Sequence, residues 1–188
     1  MAANLHLQIA KLVEKQPYQI GLVVESGNQP IYTQNSLMRF PSASLIKLAI
    51  LDYILQRDFD LNQSIVINKK QMVGGSGVLH LLMPNQLKLK QLLALMISDS
   101  DNSATNVVLD KFGMKQINEW LISNNFTATH VSRLMMDSHA ESLGFDNYTS
   151  PVEALKLFQF SLKNFLASQW LHNQQFQYKI PGNFVEAD

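Results

Sequence analysis

Cysteine is absent from the 188 residues. That excludes a disulfide framework, a thiolate nucleophile and any Cys-ligated zinc or iron-sulfur site, and leaves the compartment open. Long apolar runs are lacking too. The longest uninterrupted one, Leu92 to Ile97, falls far short of the roughly 20 residues that span a bilayer, so no membrane partner is expected. Charge of one sign is also missing, since 15 Lys and Arg balance 15 Asp and Glu. Lys69-Lys70 and the pair Lys88 and Lys90 are the local basic clusters, and neither makes a stripe that could track phosphates; nucleic acid is therefore not an expected partner. The first residues, Met1-Ala-Ala-Asn-Leu-His, have neither the basic nor the apolar region of an export signal, which gives a cytoplasmic expectation.

What is present is an ordinary globular composition, 46% apolar and 16% charged, without low-complexity tracts. A chain of this length is expected to form one domain, residues 1–188. The first fifteen or so residues carry apolar positions at helical spacing, Leu5, Ile9 and Leu12 with Val13. Tyr18 to Val24 and Pro30 to Thr33 read as two strands around turn chemistry at Glu25-Ser26-Gly27-Asn28, hence a β-hairpin. From Ala43 to Gln56 nearly every residue is apolar, which predicts a helix in the middle of a core, started by Ser42 or by Phe40-Pro41 ahead of it. After the loop Val73-Gly-Gly-Ser-Gly77 and Pro84, a helix is expected through Leu87, Leu92, Leu93, Leu95 and Met96, then others from Ser103 to Lys111 and from Lys115 to Ser123. Residues 124–148 show no sustained period, and an ordered loop of that length is usually functional. Ser150-Pro151-Val152-Glu153 has the form of a capping box that opens a helix through Leu155, Phe158, Leu162 and Phe165.

One residue interrupts the apolar stretch with a positive charge. Lys47 is its only basic residue, and lysine is almost never buried without a partner. Ser44 lies three positions earlier, and residues at that spacing share a helical face with Cβ atoms about 5–6 Å apart. A serine hydroxyl is a weak nucleophile until a base takes its proton, and desolvation lowers a lysine pKa towards neutrality. The first turn of a helix favours developing negative charge. Ser-x-x-Lys also fits a capping serine beside a lysine that snorkels to the surface. A second element, Ser100-Asp101-Asn102, follows 56 residues after Ser44; alone it reads as a cap for the helix that starts near Ser103.

Together and in this order, the two elements resemble the serine-reactive β-lactamases and penicillin-binding proteins, specifically the class A-like branch. Phe40-Pro-Ser-Ala-Ser-Leu-Ile-Lys-Leu-Ala-Ile is similar to the family's nucleophile helix, and Leu92 to Leu109 to its Ser-Asp-Asn loop and following helix. Val131-Ser-Arg-Leu and Asn147-Tyr-Thr-Ser-Pro-Val-Glu-Ala bracket a segment that resembles the family's omega loop. The resemblance implies an α+β fold: a mostly helical region packed against an antiparallel sheet, incomplete here, with the N-terminal hairpin retained and the C-terminal strands absent. It further implies that Ser44 is acylated by a β-lactam or a related amide or ester, and that its N–H forms half of an oxyanion hole. Lys47 would shuttle the proton, Ser100 would relay it to the leaving nitrogen, and Asn102 would hold the substrate's side-chain amide.

The sequence departs from that pattern twice. The omega-like segment, Arg133-Leu-Met-Met-Asp-Ser-His-Ala-Glu, lacks the family's Glu-x-x-Leu-Asn, whose glutamate activates the deacylating water; Asp137 and Glu141 are the candidates to replace it. Ile180 to Asp188 resembles the lead-in to the family's Lys-Thr-Gly strand, and the sequence ends before that motif. Weak turnover is therefore expected, as is a homo-oligomer or a complementing C-terminal fragment that covers the unpaired sheet edge. A non-catalytic remnant or binding protein of the same fold, and a cell-wall peptidase or transpeptidase, stand as alternatives. No cofactor and no metal are expected: Gly74-Gly-Ser-Gly77 lacks the Gly-Lys-Ser/Thr of a phosphate loop, and the five histidines form no His-Glu-x-x-His or paired helical spacing, although Asp137, His139 and Glu141 could in principle meet a metal.

Overall fold

The computed structural model describes residues 2–27 and 29–176, so the expectation for 180–188 lies outside the described residues. In chain order the elements are α1 (Ala2–Glu14), β1 (Leu22–Ser26), β2 (Gln29–Gln34), β3 (Phe40–Pro41), a 3₁₀ turn (Ala43–Leu45) and α2 (Ile46–Leu55). Then come β4 (Ser64–Val66), a 3₁₀ turn (Lys69–Gln71), α3 (Leu79–Leu82), β5 (Gln86–Lys88), α4 (Leu89–Ser98), α5 (Asn102–Phe112) and α6 (Met114–Ser123). The last are α7 (Ser138–Ser142), β6 (Tyr148–Thr149), α8 (Pro151–Leu162) and α9 (Phe165–His172).

The helix with almost no polar face occupies the place its composition demands. Residues Ile46 to Ile54 of α2 are all buried, and α4, α6 and α8 close around them. Each neighbour contributes an apolar stripe at helical spacing: Leu89, Leu92, Leu93 and Met96 from α4, Ile117 and Leu121 from α6, and Leu157 from α8. Burying a side chain of this size stabilises by ~1.5–3 kcal/mol, so this one cluster dominates the favourable side of folding. The strands make three antiparallel pairs, β1 with β2, β3 with β6 and β4 with β5. The β1–β2 hairpin carries α1 on β2 and rests on α8 through β1. No helix among the described residues is long and apolar enough to cross a membrane.

Several boundaries differ from the expectation, each for a local reason. The hairpin strands run Leu22–Ser26 and Gln29–Gln34, with a register irregularity at Val24/Glu25. Ser42 does not cap the central helix through its side chain: its backbone is already helical at φ −77° and ψ −20°, whereas a capping residue needs an extended backbone. Residues 86–88 form a strand, with Ile65 paired to Leu87, and the helix starts only at Leu89. The helix expected through Phe165 is two helices, because the Asn164 side chain accepts hydrogen bonds from the Leu166 and Ala167 amides and starts α9 afresh. Ser150 caps α8 as expected, accepting from the Glu153 N–H, but Glu153 does not return the bond. Its carboxylate instead collects the Thr127, Ala128 and Thr129 amides and the Thr129 hydroxyl.

The seam between α2 and α8 holds a second polar surprise. Asp52 is fully buried, and its Oδ1 accepts from the Ser161 hydroxyl at 2.6 Å while its Oδ2 has no hydrogen-bond partner. Burial pushes its pKa up to about 7, partly opposed by Ser161. The folded state therefore holds a proton that the unfolded chain releases near 3.8. Stability from this group is complete below that value and is lost as pH rises through about 7. Urea melts at pH 5 and pH 8 should show the wild type less stable at the higher pH, and Asp52→Asn should flatten that slope.

Candidate active site

The nucleophile candidate sits where the β3 strand turns into α2. Ala43 takes a left-handed φ of 45°, which lifts Ser44 into the 3₁₀ turn ahead of the buried helix. On the facing side, Ser100 takes a φ of 49° between the end of α4 and the start of α5. Of the six non-glycine residues with positive φ among those described, Ala43, Ser100 and Met136 line one cavity. Such strain, of order 1–3 kcal/mol per residue, persists where surrounding structure over-determines the backbone.

Lys47 draws the two serines together. Its Nζ lies 3.1 Å from Ser44 Oγ, 2.9 Å from Ser100 Oγ, 2.6 Å from the Ser100 carbonyl and 2.9 Å from Asn102 Oδ1. Ser100 Oγ is in turn 2.9 Å from Ser44 Oγ. The carbonyl and the amide oxygen can only accept, so they claim two N–H bonds. A neutral amine then has one position left, its lone pair, directed between the two hydroxyls. Lys47 is 2% exposed, and desolvation lowers its pKa to about 8 against the opposing pull of Asp101 and Asp99. The neutral form is thus accessible near neutrality without a dedicated partner.

Asp101 shows why the Ser-Asp-Asn loop is rigid. Its Oδ1 accepts from the Ala104 amide and caps α5, while its Oδ2 accepts from the Val78 and Leu79 amides. Both the capping reading and the loop reading of this triplet therefore hold. Gly77, at φ +94°, is required for that approach, because a Cβ there would lie 2.2 Å from the Asp101 carboxyl carbon. Asn102 points its other amide atom, Nδ2, at the Gly74 carbonyl, 3.1 Å away.

Two cavities open on this cluster. One, of ≈ 610 Å³, is walled by Leu45, Leu48, Met96, Ile97, Phe158 and Leu171 and reaches Ser44, Lys47 and Ser100. The other, of ≈ 490 Å³, adds Ser76, Asn102, Arg133, Met135 and Met136 to Ser44 and Ser100. Asp137 and Glu141 line neither. Asp137 caps α7 by accepting from the Ala140 amide, and Glu141 lies 3.6 Å from Arg133 on the exposed side of the segment. Among the described residues, no group of three His, Asp or Glu side chains could hold a metal ion.

The wall at 131–136 is held by asparagine side chains that were not among the expected functional residues. Asn118 bonds both backbone groups of Val131, Asn147 bonds the Ser132 and Arg133 amides and the Arg133 carbonyl, and Asn106 bonds both groups of Met135. Arg133 Nε meets Asp146 at 2.9 Å and closes the base of the loop. A buried side-chain amide pairs with backbone as another strand would, which explains how a segment without period stays ordered. The available signal was a polar residue on a buried helical face, as at Asn106 among Val107, Val108 and Leu109.

This arrangement of a helical body, a short hairpin and a Ser-Lys-Ser cluster is the fold of the β-lactamases and transpeptidases. A model of the β-lactamase enzyme family matches residues 4–187, and the chain belongs to that family. The β-lactamase ROB-1 of Haemophilus influenzae is 27% identical over 186 residues, which cover 91% of this chain and 60% of that protein. SME-1 of Serratia marcescens is 26% identical over 110 residues, 56% of this chain and 37% of that protein. The chain thus spans less than two thirds of these curated relatives. Among solved structures, a β-lactamase from Sphaerobacter thermophilus superposes with TM-score 0.78 at 25% identity, over 97% of this chain and 74% of that one. PBP-A shares the fold with TM-score 0.74 at 22% identity, over 95% and 71%.

A resolved titration of the Lys47 side chain by NMR should give a midpoint near pH 8. A midpoint at the ordinary lysine value of 10.5 would mean that the amine is solvated.

Proposed function

We propose that the chain is a serine acyltransferase of the β-lactamase type, acylated at Ser44 by a β-lactam or a related amide or ester, with slow release of the acyl group. The observation that carries the reading is the convergence of the buried Lys47 Nζ on Ser44 Oγ and Ser100 Oγ at the mouth of two cavities. In the acylation step Ser44 Oγ attacks the carbonyl carbon and its proton passes to the Lys47 amine. The amide C–N bond then breaks, and the leaving nitrogen takes a proton through the Ser100 hydroxyl. The Ser44 N–H supplies one donor to the oxyanion. Asn102 would exchange its bond to the Gly74 carbonyl for one to the substrate.

Slow release follows from what faces Ser44. The wall there presents Met135 and Met136, whose thioethers do not deprotonate water, while Asp137 and Glu141 are committed to a cap and to Arg133. A point mutant of PBP-A has been solved as an acyl-enzyme complex with penicillin G. The alternative is a cleft of the same fold that binds without reacting. A cell-wall peptide would be attacked by the same groups.

The β1–β2 hairpin has no third strand among the described residues, and the relatives it matches are longer. A second copy or a complementing fragment that lays a strand on this edge is part of the proposal, since an open sheet edge presents unpaired backbone groups to another chain. Gel filtration with light scattering should find an assembly; a monodisperse monomer at high concentration contradicts this part.

Incubation with penicillin G followed by intact mass measurement should show one covalent adduct in the wild type and none in Ser44→Ala. A folded wild type that takes up no drug at millimolar concentration supports the binding protein instead. Met135→Glu, which puts a carboxylate at the wall position held by Asn106, should shorten the adduct lifetime at least tenfold; an unchanged lifetime would count against water access as the limit.

A further inference from the structure

We infer that Gln174 is a positioning residue for Ser100: with the Gln175 amide it clamps the end of α4 and holds the strained turn from which the Ser100 hydroxyl serves the leaving nitrogen. The inference rests on the proposed acylation of Ser44 and adds to it the residue that keeps the proton donor in place.

α4 ends at Ser98 with no glycine after it, so its last carbonyls need partners from elsewhere. The Leu95 carbonyl accepts from the Asp99 and Asp101 amides, each at 3.1 Å. The Ile97 and Ser98 carbonyls are reached by residues beyond α9: Gln174 Nε2 donates to the first at 2.8 Å, and the Gln175 amide donates to the second at 2.8 Å. In return the Ser98 hydroxyl donates to the Trp170 carbonyl at 2.9 Å. Ala167, Trp170 and Leu171 seat α9 against the core, so the clamp has a fixed base. Two residues after Ser98, Ser100 takes its φ of 49°, a conformation that a non-glycine residue keeps only where its surroundings hold it. Asp101 holds the far flank through the Val78, Leu79 and Ala104 amides, and Gln174 with Gln175 holds the near one.

The two serines are held from different sides, which makes the effect selective. Ser44 stands on the 3₁₀ turn ahead of α2, and Ser100 on the turn after α4. Removing the Gln174 donor leaves the buried end of α4 with an unpaired carbonyl, displaces Ser100 and leaves Ser44 with its backbone N–H in place. Chemistry separates the two roles. In penicillin the Ser44 Oγ–C bond forms, the C–N bond breaks, and the nitrogen must take a proton, which Ser100 passes on and recovers from Lys47. A p-nitrophenyl ester also acylates Ser44, but its phenolate departs as the anion near pH 8 and needs no such proton.

The experiment compares acylation rates with penicillin G and with p-nitrophenyl acetate in the wild type, Gln174→Met and Ser98→Ala, with Ser44→Ala as the background. Gln174→Met keeps the length of the side chain and loses the donor. It should slow the penicillin reaction at least tenfold and the ester reaction less than threefold. Ser98→Ala, which cuts the reciprocal bond to Trp170, should show the same split at smaller size. In a Ser100→Ala background, Gln174→Met should slow the penicillin reaction no further. Equal slowing of both substrates, unchanged rates in a folded Gln174→Met, or additive losses in the double variant overturn the inference. Hydrogen exchange of the Asp101 amide, bonded to the Leu95 carbonyl, gives a readout that needs no drug: its protection should fall in Gln174→Met. Unchanged protection would refute the clamp, whereas lost protection with no Ser44-dependent acylation by either compound, wild type included, would refute acylation and leave the clamp standing.

Discussion

Everything that gives this molecule a site depends on a lysine amine held out of water at the start of its most apolar helix. Burial disfavours the ammonium, so the same packing that stabilises α2 lowers the Lys47 pKa to about 8. Four oxygen atoms surround Lys47 Nζ, and two of them can only accept. Geometry thus fixes where the N–H bonds go and leaves the lone pair to the hydroxyls. The core and the chemistry are one construction seen from its two sides.

The opposite wall is built on another principle. Where α2 relies on apolar packing, the segment from 131 to 136 relies on asparagine side chains that imitate a neighbouring strand. Such a wall is ordered without being apolar, and its side chains are free to vary. In this chain they are methionines, soft and unreactive towards water. In the proposed function, that inert face is what makes release of the acyl group slow.

Much of this was legible in the sequence. The apolar run with one lysine, the serine three residues earlier and the Ser-Asp-Asn triplet were enough to place Ser44, Lys47, Ser100 and Asn102 near one another, and the family membership bears out the resemblance. Helix existence was legible wherever the period was strong, as in α4 and α8. What escaped was long-range and polar. Nothing local identifies the partners of Asn147, Asn106 or Glu153, because those partners lie 14 to 29 residues away in sequence. Asp52 was hidden for the opposite reason: its apolar neighbours dominated the pattern, and its partner Ser161 lies 109 residues further on. Boundaries such as Leu89 and Phe165 were decided by β5 and by the Asn164 cap, each a short-range contest that periodicity does not resolve.

The most direct measurement is the rate of Ser44 acylation between pH 6 and pH 10, in the wild type and in Lys47→Arg. If a neutral amine at position 47 takes the hydroxyl proton, the wild-type rate rises with a midpoint near 8 and the arginine variant, always charged, is slow at every pH. A flat wild-type profile, or an arginine variant that reacts as fast, would show that the buried amine is not the base.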